Sequence, residues 1–406
     1  MFWIQFSSLT EKELVEIAAQ TLQTELPDWE KNIWQFVSDW FNPSIPSIKV
    51  FTSGSTGAPK QIEHTKQAML NSAQMTCETL QLQKGDNALL CLPVTKIAGM
   101  MMVVRSLHAG LNLYCIEPSA TPLKQLTGDI QFALAAFTPM QLHSATKDYP
   151  QFLQAEAIQK IILGGERVSA EVLDIVRRWN NDVYATFGMT ETISHIALKK
   201  LNGANVDAHF KVLQGIKIST GEENRLIIEA PELGQPHLLT NDIVRIVMPR
   251  NEASCISPAN EIQDFSLRKA FVRNDKTHLP NTFGDNTNNS NQEFDWLGRT
   301  DNVINTGGVK IHPEELEQLL QPHIQPAYFI GAVPDERTGD KLVLAIEMTA
   351  LSESDKQALK QAFETFPKLQ RPKAVLLFNQ FVRTSNGKIN RKETMQSTHE
   401  VVMLAE

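Results

Sequence analysis

Short apolar runs alternate along the chain with longer amphipathic segments. Residues 66–80 and 170–180 carry apolar side chains at helical spacing, and each segment lies between two apolar runs. Strand–helix alternation of this kind is typical of a layered α/β domain with a largely parallel sheet. The runs that predict the strands are residues 88–92, 112–116, 132–136, 160–163 and 182–186.

The chain on both sides of this region has a different pattern. Residues 1–50 predict two short helices, the first capped by Thr10, and a turn then leads into a strand at residues 48–51. Residues 212–248 contain short alternating strands, among them 217–219 and 226–228. This second pattern predicts a smaller β subdomain.

A polar, asparagine-rich segment separates two compact parts of the chain. Residues 250–293 can bury little, so we expect a loop insertion with a mobile part. Strand-like sequence resumes at residues 294–303, and helix, strand and helix signals follow from Pro313 onward. We therefore predict a large layered α/β N-terminal domain over residues 1–300 and a small mobile α+β C-terminal domain over residues 301–406.

Composition and charge exclude several classes of protein. Of the 406 residues, 42% are hydrophobic and 21% are charged, as in ordinary globular proteins. A formal net charge of -8 leaves no general electrostatic footprint for nucleic acid. Residues 97–104, the most apolar run, are too few to span a bilayer, and the first residues lack the features of a signal peptide. We expect a cytoplasmic protein without a membrane span.

The cysteines form no motif. They are scattered and have no Cys-x-x-Cys spacing or neighbouring histidine cluster, so metal binding and redox chemistry are not indicated. Buried free thiols in a reducing compartment are expected instead. The four residues are Cys77, Cys91, Cys115 and Cys255.

The strongest local signal is a small-residue loop directly behind an apolar strand. Glycines let backbone N–H groups turn toward one anion, hydroxyls add donors, and a closing lysine adds a positive charge. The loop lacks the Walker pattern, and flexible linkers rarely follow a strand or end in Pro-Lys. We therefore predict a phosphate-binding loop formed by Thr52, Ser53, Gly54, Ser55, Thr56, Gly57 and Lys60.

Five further motifs follow this loop. Together with the loop, they make the chain similar to the adenylate-forming superfamily of acyl-CoA synthetases, peptide-synthetase adenylation domains and luciferases. The resemblance extends over most of residues 51–392 and implies the fold of that superfamily. The motifs are Leu-Gly-Gly-Glu at 163–166, Tyr-Ala-Thr-Phe-Gly-Met-Thr-Glu-Thr at 184–192, Leu-Thr-Asn-Asp at 239–242, the run from Trp296 to Ile311, and Arg-Thr-Ser-Asn-Gly-Lys-Ile-Asn-Arg at 383–391.

The resemblance implies an ATP site. Asp242 and Arg299 would meet the ribose hydroxyls of the nucleotide. Phe187 stands where relatives have tyrosine, so its ring remains available to stack on adenine although the hydroxyl is lost. The residues that would lie around the adenine are Gly164, Gly165, Glu166, Phe187 and Gly188.

The resemblance also implies the catalytic groups. Glu191 would help to hold Mg²⁺, and Thr190 would contact the α-phosphate or the substrate carboxylate. Lys388 matches a mobile lysine that bridges these two groups, on a small domain that turns about a hinge at Asp301. The residues that would bind CoA are Gly307, Gly308 and Lys310.

Two stretches bear on the acid substrate. Residues 92–105 resemble a segment that lines the acyl pocket and include Lys96 and Arg105, while Ser194 and His195 follow the Glu191 motif. Together they look most like o-succinylbenzoate–CoA ligases of menaquinone synthesis. That acid has two carboxylates, so one can be activated while these residues hold the other. A snorkelling Arg105 and a structurally satisfied His195 are the alternative.

These observations predict an ATP-dependent acid–CoA ligase that forms an acyl-adenylate. ATP, Mg²⁺ and coenzyme A are the expected cofactors and cosubstrates, and a small carboxylic acid is the expected partner. Another aryl- or acyl-CoA ligase and an adenylation enzyme that loads a carrier protein remain alternatives. Outside enzymes, the alternative is a non-catalytic nucleotide-binding protein. Assembly into a homo-oligomer also stays open.

Overall fold

The computed structural model describes residues 1–52, 60–126, 130–148, 157–165, 168–247, 292–335, 339–384 and 389–402. The strands in these ranges are β1 (Phe2–Gln5), β2 (Ser47–Thr52), β3 (Lys60–Thr65), β4 (Asn87–Leu90), β5 (Asn112–Cys115), β6 (Phe132–Phe137), β7 (Ile158–Leu163), β8 (Asp182–Gly188), β9 (His195–Lys200), β10 (Phe210–Val212), β11 (Lys217–Thr220), β12 (Arg225–Ala230), β13 (Gln235–Val247), β14 (Glu293–Arg299), β15 (Ile304–Thr306), β16 (Val309–Ile311), β17 (Tyr328–Asp335), β18 (Gly339–Glu347), β19 (Ala374–Phe378) and β20 (Glu400–Val402). The helices are α1 (Glu11–Thr21), α2 (Asp28–Phe41), α3 (Lys66–Thr79), α4 (Ile97–Ala109), α5 (Pro139–Asp148), α6 (Ala170–Val176), α7 (Pro313–Leu320), α8 (Glu353–Glu364) and α9 (Arg391–Gln396).

A twelve-stranded sheet organises the first three quarters of the chain. Its order is β1-β5-β4-β6-β7-β8-β9-β10-β14-β13-β12-β11, and β4 to β8 are mutually parallel. This confirms the predicted α/β class. Successive residues of β4 alternate between two cores, with Ala88 and Leu90 on one side and Leu89 on the other. Because both faces are buried, the parallel strands have continuous apolar sequences.

Helices cover both faces of the parallel strands. On one face α3 packs against α4, and their buried Met69 and Met101 belong to the same core as Leu90. On the other face α5 packs against α6, and Leu142 and Val172 join the core that contains Leu89. The loops at the carboxyl ends of the strands are therefore the part of this layer that stays open to ligands.

The segment predicted as a separate β subdomain is hydrogen-bonded into the same sheet. Strands β9 to β14 are antiparallel and continue from β8. The predicted strands at 217–219 and 226–228 lie within β11 and β12. Strand β13 pairs with β12 and with β14, which joins the outer strands to the main layer. Local strand patterns predict the strands themselves but not the partner of each one.

The N-terminal segment contributes one strand that the sequence did not predict. Strand β1 pairs antiparallel with β5 at the edge of the sheet. The two predicted helices follow as α1 and α2. Thr10 caps α1 in a reciprocal capping box with Glu13, since the Thr10 side chain accepts from the Glu13 N–H and the Glu13 carboxylate accepts from the Thr10 N–H.

A second sheet begins after β14. Its order is β16-β15-β18-β19-β20, with β17 paired to β18, and α7 and α8 contribute to its core. The sheet changes between residues 299 and 304, which is also where the sequence predicts the boundary between residues 1–300 and 301–406. Nearly all of the predicted insertion at 250–293 lies outside the described residues.

Three of the four cysteines lie in the described part of the chain. Cys77, Cys91 and Cys115 are buried free thiols, while Cys255 lies outside the described residues. Burial raises the pKa of Cys77 to about 11, so this thiol stays protonated at neutral pH. No helix within the described ranges is both long and apolar enough to cross a membrane.

We expect Gly99→Ala to destabilise the fold. A Cβ at this position in α4 would lie 2.3 Å from the Pro93 carbonyl oxygen and 2.9 Å from that of Leu92. Alanine normally stabilises a helix interior by about 1 kcal/mol over glycine, but this overlap with backbone should cost about 1–3 kcal/mol. Urea unfolding measures the change.

The exposed neighbour Ala98 supplies the control for this prediction. Ala98→Ser should shift the free energy of unfolding by no more than about 0.5 kcal/mol. A Gly99→Ala protein as stable as the unsubstituted chain would contradict the close packing of α4 on the segment that precedes it.

Candidate functional site

The carboxyl ends of the parallel strands meet at one edge of the large sheet. The chain passes from β4 to β5 on one side and then crosses back over β4 to reach β6. The order of the strands therefore reverses between β4 and β6, and ligands in open α/β sheets bind outside the strand ends at such a point. The loops after β4, β7 and β8 all leave the sheet at this edge.

The backbone packs most closely at this edge where the chain reverses between β8 and β9. We call residues 188–195 the reversal. Strand β8 is the last parallel strand, and β9 returns beside it in the opposite direction. A Cβ on Gly188 would lie 2.3 Å from the Ser194 carbonyl oxygen and 2.5 Å from the Cα of His195. Only glycine fits there, because backbone rather than a flexible side chain fills the space.

The backbone within the reversal is strained. Thr190–Thr192 forms a single 3-10 turn, and the Ser194 N–H then bonds the Thr192 carbonyl over 2.7 Å. That bond closes a γ-turn around Ile193, whose φ of 67° and ψ of -54° are rare for a β-branched residue. Such strain is concentrated at functional sites, and this turn presents Thr190 and Glu191 between the two strands.

A hydrogen bond from His64 holds the reversal against β3, the strand that follows the predicted phosphate loop. Its Nε2 lies 2.7 Å from the Thr190 carbonyl oxygen, and its side chain is buried on β3. A carbonyl only accepts hydrogen bonds, so Nε2 carries the proton. Burial lowers the pKa of His64, and the hydrogen bond to Thr190 and the Glu191 carboxylate oppose this shift without reversing it.

The predicted phosphate loop closes a two-stranded hairpin. Thr52 at the end of β2 pairs with Lys60 at the start of β3, and Lys60 is exposed. The remaining predicted loop residues lie outside the described part of the chain: Ser53, Gly54, Ser55, Thr56 and Gly57. Because His64 lies on β3, the base of this loop and the Thr190 turn are joined by one hydrogen bond.

Three of the predicted acid-binding residues lie together. The Arg105 Nη2 donates to Ser194 Oγ over 2.5 Å, and Ser194 Oγ lies 3.3 Å from His195 Nδ1. The other ring nitrogen of His195, Nε2, lies 3.1 Å from the hydroxyl of Thr76 on α3. Arg105 comes from α4, so the cluster joins two helices to the reversal.

Arg105 is a buried cation with incomplete hydrogen bonding. Only 2% of the residue is exposed, and its Nε has no hydrogen-bond partner in the described structure. Burial lowers the pKa of Arg105 to about 10, and the described part of the chain supplies no carboxylate that offsets this effect. Buried charges are normally paired, so an arginine in this state is suited to an incoming anion.

His195 is neutral in this cluster. Burial lowers the pKa of His195 well below its usual value, and the charge of Arg105 lowers it further. An uncharged ring avoids a second buried cation next to the guanidinium. Lys96 is not part of the cluster: it is the exposed N-cap of α4, about 13 Å from Arg105 along the helix axis at a rise of 1.5 Å per residue.

The predicted adenine contacts lie at the ends of β7 and β8. Gly164 follows β7, and a Cβ there would meet the Thr186 hydroxyl at 2.9 Å; that hydroxyl donates to the Leu163 carbonyl. Gly165 has a φ of 94°. The Phe187 ring is half-buried and lies edge-on to Phe294 with centroids 5.0 Å apart. Glu166 lies outside the described residues.

The two predicted ribose residues face each other across strands β13 and β14. Asp242 and Arg299 are register partners. The Asp242 Oδ1 accepts from the Trp296 indole N–H over 2.8 Å, and Arg299 forms an ion pair with Asp301 at 2.7 Å. Burial raises the pKa of Asp242, although the Trp296 hydrogen bond and the charge of Arg299 oppose the rise.

The predicted CoA residues lie on a tight hairpin of the second sheet. Gly307 and Gly308 have φ values of 58° and 80° and form the two-residue turn between β15 and β16. Positive φ at both positions is the requirement of a type I′ turn. Lys310 forms an ion pair with Glu223, which lies between β11 and β12 of the large sheet. This contact connects the two sheets.

The predicted lysine of the C-terminal motif lies beyond the described structure. Lys388 falls in the gap at 385–388, and the chain on either side forms a β-bridge between Arg383 and Ile389. The Arg383 guanidinium donates to the Glu347 carboxylate at 2.5 Å.

Glu191 is the residue predicted to help hold Mg²⁺. Across the described ranges, no three His, Cys, Asp or Glu side chains form a metal cluster. Proteins commonly bind Mg²⁺ through one or two carboxylates together with substrate phosphates and water. A half-buried Glu191 on the turn that His64 anchors fits this mode of binding.

The structure adds three residues that the sequence did not predict at the site. His64, Thr76 and Trp296 each contact a predicted residue through one hydrogen bond. His64 lies four residues after Lys60 of the predicted phosphate loop, so it is at least close in sequence to a predicted residue. Thr76 had none, because its partner His195 is far away in the sequence.

Comparison with known proteins finds relatives of this chain. A family described as AMP-binding enzyme matches residues 6–222. A curated 2-succinylbenzoate–CoA ligase from Haemophilus influenzae is 24% identical over 301 residues, which cover 72% of this chain and 57% of that protein. The match thus spans less than two thirds of the length of that relative.

Solved structures show the same fold. An acyl-CoA synthetase (AMP-forming)/AMP-acid ligase II-like protein from Dyadobacter fermentans is 29% identical, with 96% of this chain and 98% of that chain covered and a TM-score of 0.56. The o-succinylbenzoate coenzyme A synthetase from Bacillus subtilis, in complex with ATP and magnesium ion, is 17% identical. There the coverage is 86% and 69%, and the TM-score is 0.62.

We expect His64→Leu to weaken MgATP binding about tenfold, the effect of losing one hydrogen bond that holds the Thr190 turn. His64→Gln should stay within about threefold, because a glutamine amide can donate from nearly the same place. Isothermal titration calorimetry measures both affinities.

His237 on β13 is exposed and provides the control for this prediction. His237→Leu should bind MgATP as the unsubstituted chain does. Equal affinities for the Leu and Gln variants at position 64 would contradict the assigned role of the His64–Thr190 hydrogen bond.

Proposed function

This chain belongs to the family of AMP-binding enzymes, and on that premise we propose that it is an ATP-dependent acid–CoA ligase. Two groups of residues support the nucleotide part of this proposal. Thr190 and Glu191 lie on the anchored reversal at the carboxyl edge of the sheet, and Asp242 and Arg299 face each other on β13 and β14. The second group suits a ribose and the first suits phosphates.

The proposed reaction has two steps. A carboxylate oxygen of the acid attacks the α-phosphorus of ATP, the bond from that phosphorus to the bridging β-oxygen breaks, and pyrophosphate leaves. The thiolate of CoA then attacks the acyl carbon, and the carbon–oxygen bond to AMP breaks. The intermediate is needed because a free carboxylate would have to expel an oxide, whereas AMP is a good leaving group.

The residues of the site have distinct roles in the first step. Thr190 contacts the α-phosphate or the attacking carboxylate, while His64 holds its backbone in place. Glu191 would help to hold Mg²⁺, which would supply positive charge at the phosphate oxygens. Lys388 supplies a further cation at the same oxygens once the small domain has turned about Asp301. These assignments follow the resemblance of the motifs.

The acid is proposed to be o-succinylbenzoate, converted to o-succinylbenzoyl-CoA for menaquinone synthesis. One observation carries this choice. Arg105 is a buried guanidinium beside Ser194 with an unsatisfied Nε and no carboxylate to offset its charge among the described residues. An acid with a second carboxylate would complete this site while its first carboxylate reacts at the α-phosphate.

A pyrophosphate-release assay against a panel of acids tests the function. With MgATP, o-succinylbenzoate should release pyrophosphate, and adding CoA should yield o-succinylbenzoyl-CoA and AMP. Benzoate, which lacks the second carboxylate together with the chain that bears it, should react at least tenfold less efficiently in kcat/KM, because at least one charged hydrogen bond is lost.

Other outcomes of this assay identify the alternatives. Release with another acid in the panel would indicate a different aryl- or acyl-CoA ligase. Release without transfer to CoA would indicate loading of a carrier protein. An absence of release with every acid would contradict an enzymatic function.

We expect Arg105→Met to raise the KM for o-succinylbenzoate by about 10–100-fold, because a charge-assisted hydrogen bond is lost. The KM for MgATP should stay unchanged. The variant should also be at least as stable, since it replaces a buried and incompletely bonded cation with an apolar side chain of similar length. Steady-state kinetics and thermal unfolding measure these effects. A selective loss of ATP affinity would place Arg105 at the nucleotide instead.

A further inference from the structure

The Arg105–Ser194 pair is the end of a longer hydrogen-bonded chain. Ser194 Oγ contacts His195 Nδ1, His195 Nε2 contacts Thr76 Oγ1, and Thr76 Oγ1 donates to the Ser72 carbonyl over 3.1 Å. His195 is only 6% exposed, and Thr76 is fully buried. Water therefore has little access to the middle of this relay, and its hydrogen bonds must be satisfied internally.

The two ends of the relay fix the direction of every hydrogen bond in it. At one end, the Ser72 carbonyl only accepts, so the single proton of the Thr76 hydroxyl points to it. The lone pairs of Thr76 Oγ1 then face His195, and Nε2 must carry the ring proton.

At the other end, the Arg105 guanidinium only donates, so Ser194 Oγ accepts from it. The single proton of Ser194 is then directed to Nδ1 of His195. Both ends lead to the same tautomer of the ring.

We propose that Thr76 is a positioning residue that selects the Nε2–H tautomer of His195 and thereby directs the Ser194 proton away from the acid pocket. Ser194 and His195 then orient Arg105 and do not donate to the substrate. The contact with the second carboxylate falls to the guanidinium of Arg105 alone. This inference rests on the proposed function for the identity of the acid. The tautomer of the His195 ring does not depend on that function.

The loss of the Thr76 hydroxyl would reverse the relay. Nε2–H of His195 would lack its acceptor, and moving the proton to Nδ1 would make the ring donate to Ser194 Oγ. The Ser194 proton would then have to point elsewhere, and Oγ would have one lone pair fewer for Arg105. The guanidinium would then share Oγ with the ring, which weakens the support that orients it.

Thr76→Val and Thr76→Ser form the test pair, since valine keeps the shape of threonine and serine keeps its hydroxyl. Thr76→Val should raise the KM for the two-carboxylate acid about tenfold and leave the KM for MgATP and for benzoate unchanged. Thr76→Ser should stay within about threefold of the unsubstituted chain. A general loss of structure would change all three KM values together.

Thr79 offers a matched control on the same helix. Its hydroxyl donates to the Met75 carbonyl over 2.7 Å, as that of Thr76 does to Ser72, but Thr79 is exposed. Thr79→Val should leave every KM value unchanged. This control measures the effect of losing a hydroxyl hydrogen bond within the helix, so that effect can be separated from the loss of the contact with His195.

A second readout is independent of the substrate. Side-chain ¹⁵N NMR of histidine should show His195 as the Nε2–H tautomer in the unsubstituted chain and in Thr76→Ser, and as Nδ1–H in Thr76→Val. The signal that disappears in His195→Ala assigns the resonance. An Nδ1–H tautomer in the unsubstituted chain, or no change in Thr76→Val, would overturn the inference.

The two proposals fail in different ways. If Arg105→Met leaves the preference for the two-carboxylate acid unchanged, the proposed acid is wrong, and the NMR result still decides the role of Thr76. If Arg105→Met removes that preference while Thr76→Val changes neither the KM nor the ring, only the inference about Thr76 is wrong.

Discussion

The close approach of Gly188 to the backbone of Ser194 and His195 is the constraint on which the rest of the site depends. Without a side chain at 188, the last parallel strand can reverse into β9 within a single strained turn. That turn receives one contact from each of three neighbouring elements: His64 from the β2–β3 hairpin, Arg105 from α4 and, through His195, Thr76 from α3. A wider turn would separate these contacts.

The same constraint relates the chemistry of the two substrates. Glu191 and Ser194 are three residues apart on the reversal, and one is assigned to the nucleotide and the other to the neighbourhood of the acid. Two ligands held by the same short turn are also held close to each other, and such proximity removes much of the entropic barrier of a reaction between them. The burial of Arg105 keeps competing water away from the cation to which we assign the acid.

Much of the fold could be predicted from the sequence because the buried strands have apolar sequences and most of the parallel ones are followed by a helix. The predicted strands at 88–92 and 182–186, for instance, correspond to β4 and β8. Strand β1 could not be predicted, since it has only four residues and one buried side chain, Ile4, which is too short a pattern to indicate a strand. The joining of β11 to β14 with the main sheet depends on distant pairings, which leave no local pattern.

The sequence could predict only those site residues that belong to recognisable motifs. Arg105, Ser194 and His195 lie together as the sequence suggested, but Lys96 does not join them, because about two and a half helical turns separate it from Arg105. The neutral state of His195 depends on burial, which a sequence does not display.

The backbone conformation and the burial of Ile193 limit which residues can replace it. Its backbone conformation costs on the order of 1–3 kcal/mol, while burial of its side chain, which is fully enclosed, contributes about 1.5–3 kcal/mol. The two effects nearly cancel. Glycine would accept the φ angle but abandon the anchor in the core, and a smaller aliphatic residue would keep the strain with less burial to offset it. Position 193 therefore requires both a particular side-chain volume and a particular backbone shape.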